Sequence, residues 1–226
     1  MSDDAQVLLL GAAGFLGAHV RRALEAQGAR VTGVSRRDDG INRRLELSDP
    51  DAVRALLLEV RPSAIINCAG RTAGSLSELT RDNTLSVAHL LETVQAELPE
   101  ARFVQFGSAA EYGPVQPDTP VTEDTPARPE GAYGITKLAA TLLVERETEA
   151  GRLEGVVLRV FNPVVQGCPR RDWRDVPLEP YELRNSGGNR ASPSGRSRHT
   201  AISWMPEMWR TPRCSRHSNR NQRRRC

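Results

Sequence analysis

The feature that most constrains the fold of this chain lies near its start. Val7-Leu8-Leu9-Leu10 is an unbroken apolar run that passes directly into Gly11-Ala-Ala-Gly14-Phe-Leu-Gly17. A short run without polar alternation suits a strand buried on both faces, as in parallel sheets. A helix follows, with Val20, Ala23 and Leu24 on one side. Glycines let the backbone turn tightly and approach a pyrophosphate, which then rests on the free N–H groups of the helix N-terminus. The G-x-x-G-x-x-G spacing differs from the G-x-G-x-x-G of ordinary dinucleotide folds.

The same alternation continues along the chain. Strands are predicted at Val7–Leu10, Arg30–Val34, Arg44–Leu47, Ala64–Asn67, Arg102–Phe106 and Gly155–Arg159. Helices are predicted at Phe15–Gln27, Pro50–Val60, Leu76–Leu98 and Tyr133–Ala150. Asp49-Pro50-Asp51 is a good helix start, because proline suits the first helical position. Alternating β and α elements with right-handed crossovers imply an α/β fold, a doubly wound parallel sheet of Rossmann type. Ligands in such sheets bind at the carboxyl ends of the strands.

Downstream stands Tyr133-Gly-Ile-Thr-Lys137. Residues four apart share one face of a helix, so the Lys137 ammonium is expected beside the Tyr133 phenol. A free tyrosine has a pKa of about 10, and a neighbouring cation lowers it. The spacing alone also fits an ordinary surface pair; Ser108 and the glycine loop upstream give it meaning.

Six segments in order now carry a resemblance. They are Gly11 to Gly17, Asn67-Cys-Ala-Gly70, Asn83 before a Leu-Leu-Glu helix, Gly107-Ser-Ala-Ala-Glu-Tyr-Gly113, Tyr133 to Lys137, and Leu158-Arg-Val-Phe-Asn-Pro163. From Val7 to about Val164 the chain resembles the extended short-chain dehydrogenase/reductases. Within them it is similar to the NAD-dependent epimerase/dehydratase family, which acts mostly on nucleotide-diphosphate sugars. The resemblance implies that Ser108, Tyr133 and Lys137 are catalytic, and that Ser108 and Asn162 contact the substrate. It implies a dinucleotide held by Gly11, Gly14, Phe15, Leu16 and Gly17, by Ala69 and Gly70, and by Tyr133 and Lys137. Glu46 and Leu47 stand where the family has an acidic residue and leucine near the adenine.

Cofactor choice is argued from the end of the second strand. An acidic residue there binds the ribose 2′-hydroxyl and repels a 2′-phosphate. This strand ends in Val34-Ser35-Arg36-Arg37. A hydroxyl and two planar guanidinium forks suit a phosphate, so NADP(H) is favoured over NAD(H). Asp38 and Asp39 follow immediately, which leaves open a plain solvated basic loop.

Composition narrows the class further. The N-terminal Met-Ser-Asp-Asp lacks the basic region of a secretory signal, and no stretch approaches the roughly 20 apolar residues that span a bilayer. A cytoplasmic protein without a membrane partner is expected. Four irregularly spaced cysteines form neither a disulfide framework nor a metal pattern, and Cys68 reads as a small core residue.

Residues 166–226 differ in kind from residues 1–165. They hold 14 Arg, no Lys and 5 acidic residues, a net of +9 against +3 for the whole chain. They contain one Val, one Ile and two Leu, with all three Trp. So little aliphatic surface does not offset chain ordering, and a disordered tail is expected beside a dinucleotide-binding domain at 1–165. The arginines lack the periodicity of a nucleic-acid site, and no nucleic-acid partner is expected. Read one base out of register, the codons of His199 to Thr211 are compatible with Tyr-Arg-Asp-Phe-Val-Asp, and those from Val164 with Gly-Pro-Gly. The family carries both segments, so a single frame change near Val164 accounts for the tail. The chain as written would then lack its substrate domain. The resemblance also allows a homodimer for the frame-restored protein.

The reading of function is NADP(H)-dependent 4-ketoreduction of a nucleotide-linked 4-keto-6-deoxyhexose. A nucleotide-sugar 4-epimerase would use the same three residues. A non-catalytic dinucleotide-binding module is the alternative of another class. A dehydratase is disfavoured: the family's acidic pair is replaced by Ala109 and Ala110, and Glu111 lies one residue too far along.

Overall fold

A computed structural model describes residues 5–115 and 120–161. Asn162 and the arginine-rich tail lie outside the described residues. The chain begins with β1 (Gln6–Leu10), whose last four residues are buried. It continues through α1 (Phe15–Glu25), β2 (Arg30–Ser35) and a two-residue β3 (Arg43–Arg44). α2 (Pro50–Val60) follows, capped by the Asp49 carboxylate on the Ala52 N–H. β4 (Ala64–Asn67) leads to α3 (Leu76–Thr80) and α4 (Ser86–Glu97). β5 (Arg102–Ser108), α5 (Ala132–Glu149) and β6 (Glu154–Val160) complete the described elements.

The six strands pair in parallel in the order β3-β2-β1-β4-β5-β6. The order reverses beside β1, which opens a crevice at the carboxyl ends of β1 and β4. Strand alternation then sorts the core. Leu8, Leu10, Ile65 and Phe103 pack with α2, α4 and α5 through Leu57, Leu91 and Val144. Val7, Leu9, Ile66 and Val104 face the other way, onto Val20 and Leu24 of α1. The expected doubly wound parallel sheet is therefore present.

Two elements differ from expectation. The sequence predicts a third strand running to Leu47, yet β3 ends at Arg44. It pairs only with Val34 and Ser35, and the chain must then turn toward the Asp49 cap; Asp49 N–H bonds back to the Glu46 carbonyl. The long helix predicted over Leu76–Leu98 is broken by a π turn at Arg81–Leu85. Such turns widen the helix by one residue and recur at functional sites.

Candidate active site

A cavity of about 240 Å³ opens at the carboxyl ends of β1, β2 and β4. Nine of the residues singled out for the cofactor line it: Gly11 and Gly14, Ser35 to Arg37, Glu46 and Leu47, and Ala69 and Gly70. Phe15, Leu16 and Gly17 form the first turn of α1 just behind this wall, where the Phe15 ring meets His19 edge-on at 5.1 Å. Gly11 has φ +74°, and a Cβ there would lie 2.6 Å from the Ala69 nitrogen. Only glycine lets the end of β1 approach the loop after β4 so closely.

The cavity suits a dinucleotide on its own chemistry. α1 begins at Gly14 with no side-chain cap and no acidic residue in its first turn. Its leading N–H groups are left for an anion, with the positive end of the helix dipole behind them. The glycine loop beneath keeps the wall free of side chains.

Sequence reasoning missed Cys68 and Asp82 on the cavity wall. Burial pushes the Cys68 thiol up to about 12, against the opposing pull of the Lys137 charge. Asp82 sits in the π turn, where its Oδ2 accepts from Arg71 Nε at 2.7 Å and from Arg36 Nη1 at 3.0 Å. Its Oδ1 accepts from Arg81 Nε at 2.9 Å. Burial would raise its carboxyl, but the bonds from Arg71 and Arg81 hold it below the usual range. No local pattern marks such a knot, because Arg36 is 46 residues away in sequence.

Next to Asp82, Asn83 is buried and bonds in three directions. Its Oδ1 accepts the Arg71 N–H at 2.7 Å, and its Nδ2 donates to the Arg71 carbonyl and to Thr136 Oγ1. The π turn thereby staples the loop at Gly70 to α5, one residue before Lys137.

Ser108 closes β5, and Tyr133 and Lys137 lie on α5. A Cβ on Gly134 would lie 2.4 Å from the Ala110 carbonyl oxygen, so that glycine brings α5 down onto the turn after β5. Tyr133 consequently comes up to the Ser108 side chain, which pulls the phenol down. Lys137 Nζ donates to the Phe106 carbonyl at 2.5 Å and lies beside Gly70 of the cavity wall, although Ser108, Tyr133 and Lys137 do not themselves line the cavity. The spacing argument has Lys137 lowering the Tyr133 phenol. Instead burial pushes that phenol up, Ser108 opposes the rise, and the Glu111 charge adds to it. Burial likewise pushes Lys137 down, against Glu111 and Cys68.

Glu111 is fully buried. Its carboxylate accepts the Ser108 N–H at 2.7 Å, the Thr141 hydroxyl at 2.9 Å and Arg159 Nε at 2.8 Å. With both oxygens engaged by protein donors, it holds the Ser108 turn rather than a substrate.

A parallel sheet with an uncapped glycine-loop helix, and Ser108 and Tyr133 brought together on the helix that carries Lys137, defines a dinucleotide-binding protein of the short-chain dehydrogenase/reductase class. The chain belongs to the NAD dependent epimerase/dehydratase family, whose sequence profile matches residues 7–176. It is 35% identical over 195 residues to a dTDP-6-deoxy-L-talose 4-dehydrogenase (NAD(P)(+)) of Kitasatospora kifunensis, covering 83% of this chain and 61% of that protein. It is 30% identical over 171 residues to a UDP-glucose 4-epimerase of Corynebacterium glutamicum, covering 70% of this chain and 51% of the relative. Among solved structures it is similar to the Thermus thermophilus UDP-glucose 4-epimerase in complex with NAD. That match has a TM-score of 0.62 and 26% identity, covering 68% of this chain and 54% of the other. The chain thus spans about half to three-fifths of the length of these relatives. Among the described residues no helix is long and apolar enough to cross a membrane, and no cluster of His, Cys, Asp or Glu could hold a metal ion.

Proposed function

We propose that residues 1–165 are the cofactor-binding and catalytic part of an NADP(H)-preferring oxidoreductase. Its substrate is a nucleotide-diphosphate-linked 4-keto-6-deoxyhexose, reduced at C4. The observation that carries this is the meeting of Ser108 with Tyr133 on the helix that holds Lys137, whose Nζ lies beside Gly70 on the wall of a cavity also lined by Ser35-Arg36-Arg37. A relative that acts on a dTDP-6-deoxy sugar with NAD(P)(+) supports the substrate class. The same residues and the epimerase relative sustain a nucleotide-sugar 4-epimerase as the second reading.

A bound nicotinamide would supply the hydride. Glycines 11, 14 and 17 would seat its pyrophosphate, and Arg36 and Arg37 its 2′-phosphate. Ser108 would hydrogen-bond the carbonyl oxygen and stabilise the charge that develops there. Tyr133 would pass its phenolic proton to that oxygen as general acid. A phenol pushed above its ordinary value holds its proton at neutral pH, which suits donation. Lys137 would bind the nicotinamide ribose.

Residues 166–226 are part of the same proposal: in their present frame they do not encode the substrate-binding half. The test is a frame-restored protein incubated with NADPH and either keto- or hydroxy-sugar nucleotides. A reductase consumes NADPH with the keto-sugar. An epimerase interconverts hydroxy-sugars with no net consumption, and that result would replace the first reading.

A further inference from the structure

The cavity contains a charged group that competes with the ligand. Arg36, offered by sequence as a 2′-phosphate donor, is paired with Asp82 at 3.0 Å. The Asp82 side chain is 8% exposed and that of Arg36 49%. Asp82 is held from below by Arg71 and from the side by Arg81, so it stays satisfied if Arg36 leaves. Arg36 is thus the most loosely bound member of the knot and the one that lines the cavity. Its neighbour Arg37 makes no ion pair among the described residues, and its backbone N–H bonds the Ser35 hydroxyl.

We propose that Asp82 is a specificity-determining residue: its carboxylate holds Arg36 in place of a 2′-phosphate and thereby sets how strongly NADP(H) is preferred over NAD(H). The ligand phosphate must displace a carboxylate from Arg36, whereas a ribose 2′-hydroxyl has no such exchange to make. Asp82 therefore penalises the phosphorylated cofactor selectively, and it does so from a π turn on the opposite wall of the cavity. The inference rests on the proposed NADP(H) preference, which the wild-type affinities test separately.

The experiment is titration of the full chain with NADPH and with NADH, followed by nicotinamide fluorescence, for wild type, Asp82→Asn, Arg36→Gln and the double variant. Asp82→Asn is expected to raise the ratio of NADH to NADPH dissociation constants about two- to fivefold, the size of a half-exposed ion pair. In the Arg36→Gln background the same substitution should leave the ratio unchanged. An unchanged or lowered ratio in Asp82→Asn overturns the proposal, as does an equal rise without Arg36. Arg81→Gln, at an exposed position, guards against a folding defect at Asp82. Relieved of one partner, Asp82 should bind Arg36 more firmly and the ratio should fall; no fall counts against the proposal. A wild type that prefers NADH sinks the cofactor reading, whatever the variants do.

Discussion

Replacing Glu111 by glutamine keeps shape and removes charge at the one buried carboxylate among the described residues. One carboxylate oxygen accepts the Ser108 N–H, and the other accepts both Thr141 and Arg159. An amide has one accepting end, so its NH₂ must face a donor. If that end meets Ser108, the orphaned N–H costs about 1–3 kcal/mol. Arg159 also loses its buried counter-ion, a change worth about 3–5 kcal/mol when one partner of such a pair is removed. Its side chain remains 18% exposed, pairs with Glu145 at 3.4 Å and lies over the Tyr112 ring, which limits the loss. The expected destabilisation is roughly 3 kcal/mol. In a urea melt followed by far-ultraviolet circular dichroism this shifts the midpoint by about 1–3 M, for slopes near 1–3 kcal/mol/M. Arg159→Met should cost at least as much, because it strands a carboxylate with no exposure. The Glu111→Leu/Arg159→Met pair should recover only the ion-pair part of the loss, since apolar replacement of a buried pair is often neutral while the Ser108 N–H stays without its acceptor. A shift below about 0.5 M for Glu111→Gln, or a double variant as stable as wild type, refutes the assignment of Glu111 as a structural anchor of the Ser108 turn.

Tyr133→Phe in the frame-restored protein should lower turnover by about 10²–10⁴-fold with near-normal NADPH affinity; full turnover would remove Tyr133 from the chemistry. Gly134→Ala places a methyl 2.4 Å from a backbone oxygen, and should cost about 1–3 kcal/mol in a thermal melt, an unchanged midpoint being the contrary result. The Cys68 thiol, raised to about 12, should resist alkylation at pH 8 when labelling is resolved peptide by peptide; fast labelling would contradict that raised value. The raised value also gives a sign: the linked stability is present below the ordinary thiol value of 9.0 and is lost as pH rises toward about 12. Cys68→Ser should flatten that part of the alkaline stability profile. The Glu147 carboxyl, held down to about 2 first of all by Arg152, should titrate well below an ordinary glutamate by NMR; its linked stability is present above about 4.5 and lost as pH falls toward 2.

What the sequence determined by itself is local. Val7 to Leu10 has no polar residue to face water, so it had to be a buried strand. Gly11 to Gly17 and Tyr133 to Lys137 are short segments whose chemistry follows from spacing along one turn or one helix face. These sufficed for the parallel α/β class, the cavity's glycine wall and the family. The tertiary structure decided what depends on partners far apart in the chain. Glu111 and Arg159 are 48 residues apart, and Arg36 and Asp82 are 46 apart; no period in the sequence connects either pair. The π turn was equally hidden: helical propensity runs unbroken across Leu76–Leu98, and Asn83 breaks it only because Arg71 and Thr136 arrive from two other elements to bond its amide. The direction of the Tyr133 shift depended on the same information. Spacing supplies the neighbour four residues away, but burial is set by the whole fold: it raises the phenol, while the Lys137 ammonium is bound to a backbone carbonyl.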